Sequence, residues 1–211
     1  MGGMLSPRPV LPAEHFTPPV RRVSAAREGA PGRIRVIGGT LRNSRIDVAG
    51  VPGLRPTPER VRETLFNWLA PTIEGARCLD LCSGTGALGI EALSRGAGSA
   101  WFVEQDASAA KVLRGNLDRL KAAAAQVTSM DAEAFLRGPS RPMDLVFLDP
   151  PFALDLWTRL AAGLEQGGWL AAGASVYVEC PRGASPPLPA DWNLHREGAA
   201  GEVRFALYRR R

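Results

Sequence analysis

The chain has 211 residues, 45% of them hydrophobic and 22% charged, which predicts a soluble globular protein of one ordinary domain. No apolar run approaches the roughly 20 residues of a membrane helix, and residues 1–20 hold five prolines where a secretory signal would be apolar. Three cysteines and two histidines without metal-site spacing argue against a disulfide scaffold and a structural zinc, so a metal-free, cytoplasmic protein with no membrane partner is expected.

The formal net charge of +5 is unevenly spread, because residues 1–62 carry eleven arginines against Glu14, Glu28, Asp47 and Glu59. That front third is +7 and leaves −2 for the rest of the chain. Clustered guanidiniums gain affinity for a polyanion by releasing phosphate counterions. An arginine-rich solvated tail is the plainer alternative.

Residues 1–32 are rich in Pro, Arg, Ala and Gly without periodicity and are expected to form a disordered tail. From residue 33 the pattern RIRVI, then Gly38-Gly39, then 41–48 predicts a small basic β-hairpin over 33–50 carrying Arg33, Arg35, Arg42 and Arg45. A helix over 57–70 follows, with Thr57 as the expected N-cap, Pro58 in the first turn, and Val61, Leu65, Trp68 and Leu69 on one face before Pro71. Beyond it, short apolar strands at 78–82, 100–104, 126–130, 145–149 and 175–180 alternate with helical patterns at 87–94, 107–121, 132–136 and 154–164. This alternation predicts an α/β fold over 76–211, a mostly parallel twisted sheet covered on both faces. Segments 192–196 and 203–209 flank Gly198-Ala199-Ala200-Gly201 and predict an antiparallel C-terminal edge hairpin.

The most informative stretch is Asp80-Leu81-Cys82-Ser83-Gly84-Thr85-Gly86-Ala87-Leu88-Gly89, at a strand end and opening a helix. Its glycines satisfy the pattern that lets backbone approach a nucleotide-bearing ligand. Glu104 ends the next strand twenty residues after Gly84, where a carboxylate can accept from both ribose hydroxyls. NAD and S-adenosyl-L-methionine both use such a turn. Pyrophosphate favours a helix N-terminus but would find Asp80 an awkward neighbour, whereas Asp80 can help hold an ammonium; a turn-stabilising role is its alternative. Asp131, followed by Ala132, can accept from an adenine amine or cap the helix that starts there.

Asp149-Pro150-Pro151-Phe152 follows the apolar strand Leu145 to Leu148. Ligands of open parallel sheets lie beyond the strands' carboxyl ends, so this corner should face the cofactor. Prolines lack N–H donors and leave carbonyls as acceptors beside the Asp149 carboxylate. Two acceptors can grip an exocyclic amine and aim its lone pair at a methyl group, while Phe152 stacks on a flipped base. The alternative is a rigid turn with an aromatic core plug.

These residues together resemble the RsmD family of bacterial methyltransferases that act on guanine N2 of 16S ribosomal RNA. The resemblance is carried by Arg35 to Gly39, Gly53-Leu54-Arg55-Pro56-Thr57, Arg60 to Leu69, Ser83 to Ala97 and Asp149 to Phe152, in that order, and spans 33–209. It implies a Rossmann-like class I methyltransferase fold using S-adenosyl-L-methionine, a hairpin that contacts RNA, and a small ribosomal subunit or assembly intermediate as the partner of a monomer. It also implies that Asp80, Cys82, Ser83, Gly84, Thr85, Gly86, Glu104, Asp131, Ala132 and Asp149 line the cofactor site. Asp149 to Phe152 would line the reaction site, and Arg55 and Thr57 would lie beside the methionine end or the base. Thr40-Leu41 lacks the aromatic often found after the Gly-Gly turn, and Asn43-Ser44 dilutes a typically more basic patch. Other readings are methylation of another RNA or DNA base or of a protein glutamine, whose corners usually begin with Asn; an NAD-dependent oxidoreductase; and an RNA-binding protein with a decayed cofactor loop.

Overall fold

The computed structural model describes Met1 and residues 32–211. The tail expected over 1–32 lies outside the described residues except at its two ends, and Gly32 already belongs to a strand. The first two strands, β1 (Gly32–Arg35) and β2 (Arg45–Val48), pair antiparallel with Arg35 opposite Arg45. The second begins later than the expected residue 41, because 37–44 turn away to pack on another helix.

Helix α1 (Glu59–Leu69) starts one turn position later than its sequence suggests. Pro58 occupies the N-cap and no side chain caps the helix. The Thr57 hydroxyl is instead bonded to the buried Glu179 carboxyl, so a tertiary contact overrides the local capping signal.

The main sheet is built from β3 (Arg77–Asp80), β4 (Ser99–Glu104), β5 (Ala125–Ser129), β6 (Met143–Leu148), β7 (Leu170–Pro181), β8 (Trp192–Ala200) and β9 (Val203–Arg210). Its order is β5-β4-β3-β6-β7-β9-β8, with β3 to β7 parallel and β9 antiparallel to both neighbours. The chain runs outward from β3 to β5 and then returns to β6 on the other side of β3. That reversal opens a crevice at the carboxyl ends of β3 and β6, where such sheets bind ligands.

Side chains alternate faces along β6. Leu145 and Phe147 join Leu65, Phe66, Ile90 and Leu113 of α1, α2 (Ala87–Ser94) and α3 (Ala107–Arg119). Val146 and Leu148 join Phe135, Leu160 and Trp169 beneath α4 (Ala132–Leu136) and α5 (Trp157–Gln166). Period-two burial on both faces explains the near-continuous apolar run in this strand.

Helix α5 begins at Trp157 rather than 154. Phe152–Leu154 form a single 3-10 turn, and Asp155 adopts φ 46°, which breaks the path into the helix. At the C-terminal edge, Gly198 lies within β8, where an added Cβ would sit 2.6 Å from the Phe205 ring. The reversal falls at Gly201-Glu202, after the segment expected to turn. No helix among the described residues is long and apolar enough to cross a membrane.

Candidate functional site

The glycine loop leaves β3 beside the end of β6, because Asp80 pairs with Phe147 and Leu81 donates to the Phe147 carbonyl at 3.2 Å. The loop is fixed from within: Ser83 Oγ donates to the carbonyls of Asp80 at 2.7 Å and Val103 at 3.0 Å, and Gly86 N donates to Ser83 O at 2.7 Å. Gly84 and Gly86 take φ of 51° and 73°, the left-handed region that favours glycine. A Cβ on Gly86 would lie 2.3 Å from Leu113, and one on Gly89 would lie 2.3 Å from Phe102. The first pair of glycines therefore makes the turn, and the third lets α2 press onto β4.

Two acids hold this loop. Glu104 accepts from Gly84 N at 2.7 Å with one oxygen and from Asp106 N at 2.8 Å with the other. Each of its oxygens retains a second lone pair. Asp80 accepts from Gly89 N at 3.0 Å in the first turn of α2. Burial raises its carboxyl from 3.8 to about 7, the Gly89 N–H opposes the rise, and Glu104 adds to it. Thr85 is buried, its hydroxyl accepting from Ala87 N at 3.3 Å.

Asp131 is exposed and caps α4 by accepting from Ala134 N at 2.9 Å, with Ala132 buried behind it. Of its two sequence readings, capping is thus realised, and a second oxygen is left over. Cys82 lies half-buried among the acids. Its thiol is pushed up by burial first, then by Asp149, Asp80, Glu104 and Asp131.

The corner 149–152 stands across the crevice. Asp149 is partly exposed, and its carboxyl has no hydrogen-bond partner among the described residues. No buried side-chain oxygen or nitrogen lacks a partner there, so the Asp149 oxygens open outward. Its carboxyl is raised well above the usual carboxylate range by burial, then by Glu179 and Asp80. Phe152 is 38% exposed, its ring 5.8 Å from that of Trp157, which corrects the core-plug alternative. The Pro151 carbonyl accepts from Leu154 N at 3.0 Å, which closes the 3-10 turn and leaves it one lone pair.

Sequence reasoning missed Glu179. It is 3% exposed near the end of β7 and accepts from Tyr177 Oη at 2.7 Å and from Thr57. An acid inside the apolar run Val176-Tyr177-Val178-Glu179-Cys180 was the available signal.

The basic hairpin is docked rather than projecting freely. The buried Glu91 of α2 accepts from Ile37 N and Gly38 N, both at 2.8 Å, from Arg95 Nε at 2.8 Å and from Arg62 Nη1 at 3.3 Å. Gly39 has φ 76°, and a Cβ there would fall 1.7 Å from the Ser94 carbonyl; the Gly-Gly turn exists to seat the hairpin on α2. Arg33 pairs with Asp47 at 2.8 Å and Arg35 with Glu59 at 2.5 Å. Arg42 and Arg45 are exposed and form no ion pair among the described residues. Arg55 is exposed on the segment leading to Thr57.

Two surface hollows, one by Asp144 and Arg209 and one by Ser99 and Arg141, lie at the amino ends of the strands, away from these carboxyls. Among the described residues no cluster of His, Cys, Asp and Glu could hold a metal ion.

The family model described as "Conserved hypothetical protein 95" matches residues 34–209. Ribosomal RNA small subunit methyltransferase D of Escherichia coli strain K12 is 49% identical over 180 residues, which cover 85% of this chain and 91% of that protein. The chain belongs to the RsmD family. A solved structure of the yhhF protein of Escherichia coli superposes with a TM-score of 0.78 at 46% identity, covering 85% of this chain and 98% of the other. At the level of fold alone, an RNA methyltransferase of Salinibacter ruber in complex with S-adenosyl-L-homocysteine is similar, with a TM-score of 0.56, 21% identity and coverage of 74% and 93%. The RsmD-family chain thus has a Rossmann-like methyltransferase fold with an antiparallel edge and an N-terminal hairpin, as its sequence led us to expect.

Proposed function

We propose that this protein transfers a methyl group from S-adenosyl-L-methionine to the exocyclic N2 of a guanine in 16S ribosomal RNA, within a small subunit or assembly intermediate. Residues 33–211 act as one methyltransferase domain in this reading. The observation that carries it is the placement of the glycine loop and the Asp149-Pro150-Pro151-Phe152 corner at the same end of the adjacent strands β3 and β6.

The residues fit the cofactor by their chemistry. Asp80 and Glu104 at the glycine loop and Asp149 after the neighbouring strand β6 bring carboxyls to the crevice, which favour a cationic ligand and oppose a pyrophosphate. When bound, S-adenosyl-L-methionine supplies an electrophilic methyl group. Glu104 has lone pairs left for ribose hydroxyls while it holds Gly84, Cys82 to Gly86 form the wall, and Asp131 and Ala132 flank the adenine end. Asp80 holds the first turn of α2 through Gly89 and makes the methionine end attractive to an ammonium.

Across the crevice, the Asp149 carboxyl and Pro150 carbonyl accept the two N–H bonds of the guanine amine, and the exposed ring of Phe152 stacks on the extruded base. Two fixed acceptors orient the nitrogen lone pair, so most of the rate comes from positioning. Arg55 and Thr57 border the same space, while Arg42 and Arg45 offer unpaired charge to the RNA backbone. Arg33 and Arg35 contribute less, because each already faces a carboxylate.

Incubation of the protein with labelled S-adenosyl-L-methionine and undermethylated small subunits tests this reading. Label should appear as N2-methylguanosine by mass spectrometry of the digested RNA. Its absence, with cofactor bound, would reject the reading.

A further inference from the structure

Two carboxyls meet at the reaction corner, and only one was expected there. Leu148 of β6 pairs with Val178 of β7, so Asp149 and Glu179 are the next positions along neighbouring parallel strands. Both follow the alternation onto the α1 side: Phe147 and Tyr177 precede them on that face, with their rings 6.3 Å apart. The two acids are treated differently by their surroundings. Glu179 is buried and receives hydroxyl bonds from Tyr177 at 2.7 Å and from Thr57. Asp149 receives none among the described residues and opens toward the crevice. Donors stabilise the charged form of the acid they touch, so Glu179 is the more firmly held anion of the pair, and Asp149, which has no such donor, is the carboxylate that takes up a proton more readily.

We propose that Glu179, held as an anion by Tyr177 and Thr57, acts through Asp149 as a positioning residue, making Asp149 the acceptor of the proton that the methylated amine must lose. The proposal rests on the methyl-transfer reading above and adds to it a residue and a proton path. Methylation leaves the nitrogen with one proton too many. An N–H bond breaks with its pair kept on nitrogen, the proton bonds to an Asp149 oxygen, and water takes it from there. A neighbouring fixed negative charge strengthens Asp149 as acceptor, and burial acts in the same direction for both acids.

Among the groups that face this pair is the Cys82 thiol, which Asp149 raises more than any other charge does. Asp80 stands behind Asp149 from β3, Tyr177 lies on β7 itself, and Thr57 precedes α1. Phe205 of β9 pairs with Glu179 across the sheet, and Trp157 of α5 donates to the Glu179 main-chain carbonyl at 2.6 Å. A proton taken up by the two acids titrates them jointly, so a site-resolved probe is required.

The test is a carbon-13 carboxyl titration of Asp149 in the full, unliganded chain, with single-turnover rates on small subunits measured in parallel. In Glu179→Gln, which keeps an oxygen for both hydroxyls but removes the charge, Asp149 should titrate at least about one pH unit lower than in the wild type. The same variant should transfer methyl about tenfold to a hundredfold more slowly, with RNA KM and cofactor Kd unchanged. Tyr177→Phe provides a second, independent perturbation: by removing a donor from Glu179 it should shift the first proton the pair takes up from Asp149 toward Glu179, so that Asp149 titrates lower. An Asp149 titration unmoved in both variants overturns the proposal, as does undiminished transfer by Glu179→Gln. A wild-type chain that binds cofactor yet transfers nothing overturns the methyl-transfer reading instead, whatever the titration shows.

Discussion

Replacing Asp80 by asparagine should make the protein more stable at alkaline pH, although Asp80 lies in the cofactor crevice. Burial holds its carboxyl at about 7, against 3.8 for the free side chain, so the folded chain retains a proton that the unfolded chain releases. A value raised on folding contributes stability that is full below the unfolded value, near pH 4, and is lost as pH rises through about 7. At about 1.4 kcal/mol per unit, the ionised group therefore costs up to about 4 kcal/mol at pH 8. Asp80→Asn keeps an oxygen for the Gly89 N–H, now accepted at 3.0 Å, and removes the charge. Its effect on Asp149 has the same sign, because Asp80 also raises Asp149. Urea unfolding of both proteins at pH 5 and pH 8 reads the result. The stability advantage of the variant should grow by about 2 to 3 kcal/mol between those two pH values. A difference that is constant with pH would refute the reasoning. The variant should also bind S-adenosyl-L-methionine more weakly, the usual trade between a stable site and an active one.

Two further outcomes follow from the docked hairpin. Glu91→Gln strips the charge from a buried acid that joins Arg62, Arg95 and the Ile37-Gly38 backbone, leaving the buried Arg62 with only the weaker pull of Glu59; it should lower the unfolding free energy by about 3 to 5 kcal/mol in the same assay, and a loss under about 1 kcal/mol would contradict the role. Replacing Arg42 and Arg45 together by alanine should flatten the salt dependence of RNA affinity by up to about 0.9 per lost phosphate contact, whereas Arg33→Ala should flatten it less; equal slopes for all three proteins would place the RNA elsewhere.

Much of this site is legible from sequence because its signals are local. The bounds of α2 and α4 follow from the glycine turn before one and Asp131 before the other, where the backbone itself demands those residue types. The β6 run ends at Leu148 because Pro150 has no N–H with which to continue the ladder. What escapes the sequence is what depends on distant partners. Thr57 before Pro58 reads as a helix cap until Glu179, more than a hundred residues later, claims its hydroxyl. Gly38-Gly39 reads as a hairpin turn, and its reason is the Ser94 carbonyl of α2. The Pro151 carbonyl reads as open, and one of its lone pairs takes the Leu154 N–H that closes the turn at Phe152. Arg33 and Arg35 read as open charge, yet their partners Asp47 and Glu59 become neighbours only when the hairpin closes and meets α1.

In the proposed function the 149–152 corner does chemistry on a substrate while the glycine loop holds the cofactor. Asp149→Ala is compared with the wild type in one preparation, by calorimetric Kd for S-adenosyl-L-homocysteine and by single-turnover methylation of small subunits. The variant's rate should be at least about a hundredfold lower with cofactor affinity retained. A variant that methylates at the wild-type rate would contradict that function of the corner.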